Sequence, residues 1–461
     1  MLLFLSATAA LLLQVELAPI TLSCSICVCT GDIINCRGIG LTTMPHIPSS
    51  FGSFHRLDLS NNSIGTLHSH VFRGLNQLRD LDVSDNQLTN IDRHAFADIS
   101  NITRLSIASN QLTSLPDALN DLSALEALDV TDNPIPPDSH DGFKNDIMRH
   151  LGSKLKEFHF GHAIITTWPQ STNHLQALEI LDLNGGNIGY IPPFFTDGFQ
   201  SRLRSLTIRN TNLPTTPVLT GLRSLKELHL DNNQFHDYGV LENSFRGLDA
   251  LETLSLNSDK LTKFPQILHH LPNLVSVSLD GNSFYYISDN AITLIHGTNI
   301  TELSLRDCNL DRVPGALTGN TLYQLTKIDL SNNNINSIER YDLDGLHNIR
   351  NLSISNNPLQ YVSSHALNLT SLQFLDLSNT KLTTVPRAIE NIPNLRALDL
   401  GDNEIDCTCD LIWFQKLVNP QHATLDLNGS CETIDRTVLQ YLAQFIPKCP
   451  DYYRSLSNPT K

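Results

Sequence analysis

Apolar residues along this chain fall into one pattern, repeated from residue 54 to residue 405. Written out, it is L-x-x-L-x-L-x-x-N-x-L. The first clear copy runs from Phe54 through Leu57, Leu59 and Asn62 to Ile64. Further copies open at Leu78, Ile102, Leu125, Leu155, Leu178, Leu203, Leu225, Leu251, Leu274, Ile300, Leu325, Ile349, Leu372 and Leu395, fifteen in all. The central L-x-L alternates with period two, which predicts a short strand with one buried face. A single copy cannot cover its own leucines. Stacking covers them and pairs the strands in parallel. The x positions are polar, so one face of the resulting sheet is expected to stay open to water.

Each copy also needs a residue where the chain turns sharply out of the strand. Asn62, Asn86, Asn110, Asn133, Asn233, Asn282, Asn333, Asn357 and Asn403 hold that position. An amide donates and accepts at once, so stacked copies predict a hydrogen-bonded ladder. Ala163, Gly186, Thr211, Asp259, Cys308 and Thr380 replace it elsewhere. Thr, Asp and Cys keep part of the bonding, whereas Ala163 and Gly186 keep none. An insertion, roughly 135–154, precedes this gap, so residues 135–213 read either as an irregular middle or as neutral drift in a tolerant solenoid.

Cysteine usage places the chain. Cys24, Cys27, Cys29 and Cys36 precede the repeats, Cys407, Cys409, Cys431 and Cys449 follow them, and Cys308 stands alone at a ladder position. Leu2–Leu13 is the one long apolar run. It is shorter than the ~20 residues of a spanning helix and reads as a secretory signal, with cleavage near Ser23. Two groups of four cysteines behind a signal imply two disulfides at each end, rather than zinc. Cys308 is expected to be a buried free thiol.

At this point the chain resembles extracellular leucine-rich-repeat proteins with cysteine-rich caps, such as Slit, Toll-like receptor ectodomains and variable lymphocyte receptors. The N-cap motif is Cys24-x2-Cys27-x-Cys29-x6-Cys36. The C-cap motif is Cys407-x-Cys409-Asp-Leu411-Ile-Trp413-Phe414, closed by Cys431 and Cys449. The resemblance implies an α/β solenoid, a horseshoe with a parallel concave sheet and disulfide-bonded caps at both ends. It also implies the pairs Cys24–Cys29, Cys27–Cys36, Cys407–Cys431 and Cys409–Cys449. The expected organisation is a signal peptide over 1–23, an N-cap over 24–53, fifteen repeats over 54–405, a C-cap over 406–450 and a polar tail over 451–461. A short C-cap helix is expected to bury Leu411, Ile412, Trp413, Phe414, Leu417 and Val418.

Charge narrows the function. Asp and Glu number 47 against 31 Lys and Arg, a net −16. That balance disfavours nucleic acid. Much of the excess falls on the open face: Asp58, Asp80, Asp82, Asp129, Glu157, Asp182, Glu227, Asp231, Asp329, Asp376 and Asp399, with His159 and His229 among them. The basic residues there are Arg56, Arg104, Arg209, Arg306 and Lys327. L-D-L-S is itself a common repeat sequence and accounts for many of the aspartates. No G-x-S-x-G, H-E-x-x-H or P-loop motif is present, so neither catalysis nor a cofactor or metal is expected. Asn61, Asn101, Asn299, Asn351, Asn368 and Asn428 are glycosylation sequons, and Asn351 lies on the open face. The expectation is a secreted recognition protein of the extracellular space or matrix. Its acidic concave face would bind a protein partner carrying a basic patch, in adhesion, signalling or innate-immune recognition, without membrane insertion. The other readings are a structural matrix protein and a receptor ectodomain whose membrane segment lies elsewhere. The sequence leaves the oligomeric state open.

Overall fold

The computed structural model describes residues 23–24, 26–137, 142–287, 291, 298–315, 323–418 and 425–450. The expected signal segment and polar tail lie outside these residues. The chain forms two compact units, Met1–Asn133 and Pro134–Lys461.

In the first unit the N-cap strands Val28–Thr30 and Ile33–Asn35 form an antiparallel hairpin, turned at Gly31 with φ +62°. Ile33–Asn35 then pairs in parallel with the first repeat strand, Arg56–Asp58. Asp80–Asp82, Arg104–Ser106 and Ala127–Asp129 extend the sheet. Cys24–Cys29 and Cys27–Cys36 are bonded beside the hairpin. The cap strand therefore covers the edge that the first repeat would otherwise expose. A second, two-stranded parallel sheet, Thr66–Leu67 with Asn90–Ile91, lies further along these repeats.

The second unit begins with the insertion. Its helix Asn145–Leu151 buries Ile147, Met148 and Leu151. Strands Glu157–Phe160, Ile180–Asn184, Ser205–Arg209, Glu227–His229, Thr253–Ser255, Ser276–Ser278, Glu302–Ser304, Lys327–Asp329, Asn351–Ser353, Phe374–Asp376 and Ala397–Asp399 pair in parallel in chain order. The C-cap strand Asp426–Asn428 closes the series. Each of the fifteen repeats contributes one strand to these parallel ladders, and the protein is a leucine-rich-repeat solenoid. Cys407–Cys431 and Cys409–Cys449 hold the C-cap, and disulfides of this kind contribute ~2–4 kcal/mol each.

The ladder explains the regular turns. Asn86 donates Nδ2 to Leu59 O at 3.0 Å in the preceding repeat and to Val83 O at 3.1 Å in its own, while Oδ1 accepts from Ile64 N at 3.0 Å. Asn110, Asn333, Asn357 and Asn403 repeat this geometry. One amide thus serves buried backbone groups of two repeats, each costly to leave unpaired.

Where Gly186 and Thr211 stand in place of the Asn the strand runs on, whereas the strands before Asp259, Cys308 and Thr380 keep three residues. Ile180–Asn184 and Ser205–Arg209 have five residues where most repeats have three, and pair through Leu183↔Ile208 and Asn184↔Arg209. Aromatic side chains fill this middle. Phe143 meets Phe158 and Phe160 edge-on, and Trp168 lies between Phe160 and Phe195. Several repeats with a proline after their last core position continue in a 3₁₀ helix. Examples are Asp117–Asp121, Gln170–His174, Gln266–His270 and Arg387–Asn391, following Pro116, Pro169, Pro265 and Pro386.

The C-cap helix Ile412–Val418 buries Phe414 and Val418, and Leu411 is buried just ahead of it. The expected stripe is too wide, because Ile412, Trp413 and Leu417 are only half-buried. Trp413 instead offers a ring face to the Arg387 guanidinium, 5.6 Å from its centroid.

Candidate functional site: the open face of the sheet

Register places the open-face residues in two columns. In the second unit the third residues of successive strands are His159, Asp182, Thr207, His229, Ser255, Ser278, Ser304, Asp329, Ser353, Asp376 and Asp399. The first residues include Glu157, Ile180, Ser205, Glu227, Glu302, Lys327, Asn351 and Phe374. In the first unit the matching residues are Asp58, Asp82, Ser106 and Asp129, with Arg56, Asp80 and Arg104 in the other column.

Most aspartates of this face have local work. Asp58 Oδ1 accepts from Ser60 N at 2.9 Å and Ser60 Oγ at 2.6 Å, and Asp82 does the same with Ser84. Asp376 holds Ser378 likewise. Asp129 takes Thr131 N, Asp329 takes Ser331 N, and Asp399 takes Gly401 N. The L-D-L-S sequence is thus a turn device in which the carboxylate fixes the backbone leaving the strand. Asp231 instead reaches the next repeat, where Ser255 Oγ and Asn257 N donate to it. Asp80 and Glu227 are strand residues, half-buried and exposed respectively.

A different arrangement marks the irregular middle. His159 Nε2 lies 2.9 Å from Glu157 Oε1, and its Nδ1 lies 3.4 Å from Asp182 Oδ2. Arg209 Nη2 lies 3.5 Å from the same Asp182 oxygen. Three adjacent strands therefore carry a charged chain, Glu157–His159–Asp182–Arg209, whose members stay 18–44% exposed at the side chain. Asp182 Oδ1 is buried without a hydrogen-bond partner. His229 lies two strands beyond Asp182 and takes no part in the chain. Below this site Gly161 is required. A Cβ there would sit 2.0 Å from Asn184 O, and φ is +144°.

Cys308 is free and fully buried, with Sγ 3.2 Å from Leu279 O and 3.4 Å from Arg306 O. Burial pushes its pKa up to about 12, so it stays a thiol. The six sequon asparagines are all exposed. Asn351 stands on the open face between Lys327 and Phe374, and Asn428 donates Nδ2 to Asp399 Oδ1 at 2.9 Å.

The leucine rich repeat family matches residues 46–88, 77–135, 298–359 and 348–405. A solved leucine-rich-repeat protein of Leptospira interrogans is 25% identical, covers 85% of this chain and 94% of its own, and superposes with a TM-score of 0.63. The chain is a leucine-rich-repeat protein with cysteine-rich caps. This repeat protein also shares its fold with Toll in the Drosophila Toll–Spatzle complex, at 21% identity and TM-score 0.50, over 87% of this chain and 53% of that one. Among curated relatives, the volume-regulated anion channel subunit LRRC8A of Rattus norvegicus is 32% identical over 185 residues, 38% of this chain. The match spans 22% of that relative's length. Among the described residues no helix is long and apolar enough to cross a membrane.

Proposed function

We propose that this is a secreted recognition protein, acting outside the cell, that binds a protein partner through the open face of its sheet. The observation that carries the reading is the chain Glu157–His159–Asp182–Arg209. It fixes charged, part-exposed side chains on three consecutive strands, next to the exposed Glu227. Rigid, pre-oriented polar groups suit recognition, because little side-chain freedom is lost on binding. Four disulfides support an oxidising compartment. The Toll structure is a complex with Spatzle, and a protein ligand is the class proposed here also. The acidic excess of the face selects a partner with a basic patch. No catalysis, cofactor or nucleic acid enters this reading. A glycan on Asn351 would confine the partner to the repeats before it.

The test is capture from extracellular fluid, followed by association rates at low and high salt. Glu157→Lys with Glu227→Lys should abolish capture, whereas Glu339→Lys with Asp344→Lys, on an outer loop, should not. Association with the captured partner should slow as salt rises. Capture unaffected by the open-face pair, or a salt-independent rate, contradicts the proposal.

A further inference from the structure

A second cluster of ionisable side chains lies away from the sheet, on the flank of two successive repeats. Glu242 opens the short helix Glu242–Phe245, and His269 and His270 end the 3₁₀ helix Gln266–His270 of the next repeat. One potential ligand atom from each lies within 4.8 Å of the other two. His270 Nε2 is 2.8 Å from Glu242 Oε1. The two imidazoles lie side by side, with centroids 3.8 Å apart. His269 Nδ1 is hydrogen-bonded to the carbonyl oxygen of Gln266. That bond sets the tautomer: Nδ1 carries the proton, so Nε2 keeps a free lone pair. A backbone carbonyl behind an imidazole is the usual support of a metal-ligating histidine.

The histidine of the open-face charged chain lacks this geometry. His159 is the sole imidazole between Glu157 and Asp182, and its two nitrogens point to separate carboxylates rather than converging. At the flank, three donors from two repeats converge and remain solvent-accessible: Glu242 and His269 are exposed and His270 half-buried.

We propose that Glu242, His269 and His270 form a Zn²⁺ site. Two imidazole nitrogens and one carboxylate oxygen are a borderline donor set that suits zinc, with a fourth position left for water or for a donor from another molecule. The site fastens one repeat to the next outside the ladder. Arg246 competes for it, because its Nη2 lies 2.7 Å from Glu242 Oε1 and holds the carboxylate with a cation already present. Zinc must displace that guanidinium, and also the Nε2 proton that His270 donates to Glu242 Oε1, which passes to Nδ1 or to solvent.

The experiment is zinc titration of the chelator-treated full chain in competition with a chromophoric chelator, with thermal unfolding as a control for folding. One equivalent should bind. His269→Ala and His270→Ala should each weaken binding by about tenfold or more. Arg246→Ala should tighten it, and His159→Ala should leave it unchanged. Absence of saturable binding overturns the proposal. So does binding that survives both flank substitutions, or that is lost with His159→Ala.

Discussion

Asp259 accepts the backbone N–H of Asn233 at 2.7 Å through one carboxylate oxygen, while its other oxygen is buried and meets no donor. At the regular ladder position an amide nitrogen would point towards strand carbonyls, as Asn282 points to Leu256 O at 2.8 Å. A carboxylate cannot donate there unless it is protonated. Burial, followed by the nearby charge of Asp231, pushes its pKa up to about 8, against the backbone hydrogen bond from Asn233.

The folded state therefore holds a proton that the unfolded chain releases from 3.8 upward. Stability from this group is greatest in acid and falls as pH rises towards about 8. Asp259→Asn removes that dependence and completes the ladder. Thermal unfolding should show the variant more stable than the parent at pH 8 by several degrees, with the gap closing near pH 4. An equal gap at both pH values would contradict this.

Cys308 occupies the same kind of position with a neutral side chain. Its thiol should resist thiol reagents in the folded protein and react as one equivalent after denaturation. Cys308→Asn should preserve the fold and raise the unfolding temperature, since the amide bonds on both sides where the thiol has only weak contacts with Leu279 O and Arg306 O. A Cys308-linked dimer on a non-reducing gel would contradict the account.

Gly161→Ala places a methyl carbon against Asn184 O under the charged chain. Loss of about 2 kcal/mol or more is expected. Gly189→Ala meets nothing within 4 Å and serves as the control. Denaturant midpoints of the two variants check this, and equal midpoints would show that the approach is relieved without cost.

The strands were legible because a period of two, interrupted at a fixed position, leaves little freedom in register: Leu57, Leu81, Leu105 and Leu128 align as their spacing requires. The ladder was legible for the same reason. The longer strands at Ile180–Asn184 and Ser205–Arg209 were not. Missing asparagines predict that a turn is lost but not what replaces it, and the replacement depends on pairing between two repeats. Trp413 was misplaced because helical spacing assigns a face, whereas the depth of that face depends on Arg387, far away in the chain. His269 and His270 carried no signal in their own repeat. Their partner Glu242 lies one repeat earlier, and residues a repeat apart on a flank are the separation at which such clusters should be sought.

Glycan masking tests the central claim, that the open face is the recognition surface, most directly. Ser205→Asn completes an Asn-x-Thr sequon with Leu206 and Thr207 between the strands bearing Asp182 and Glu227. Gln170→Asn does the same with Ser171 and Thr172 on the 3₁₀ helix Gln170–His174. With occupancy of each new site verified by mass spectrometry, binding of the captured partner should disappear for Ser205→Asn and persist for Gln170→Asn. Retained binding by the fully glycosylated Ser205→Asn protein would contradict the account.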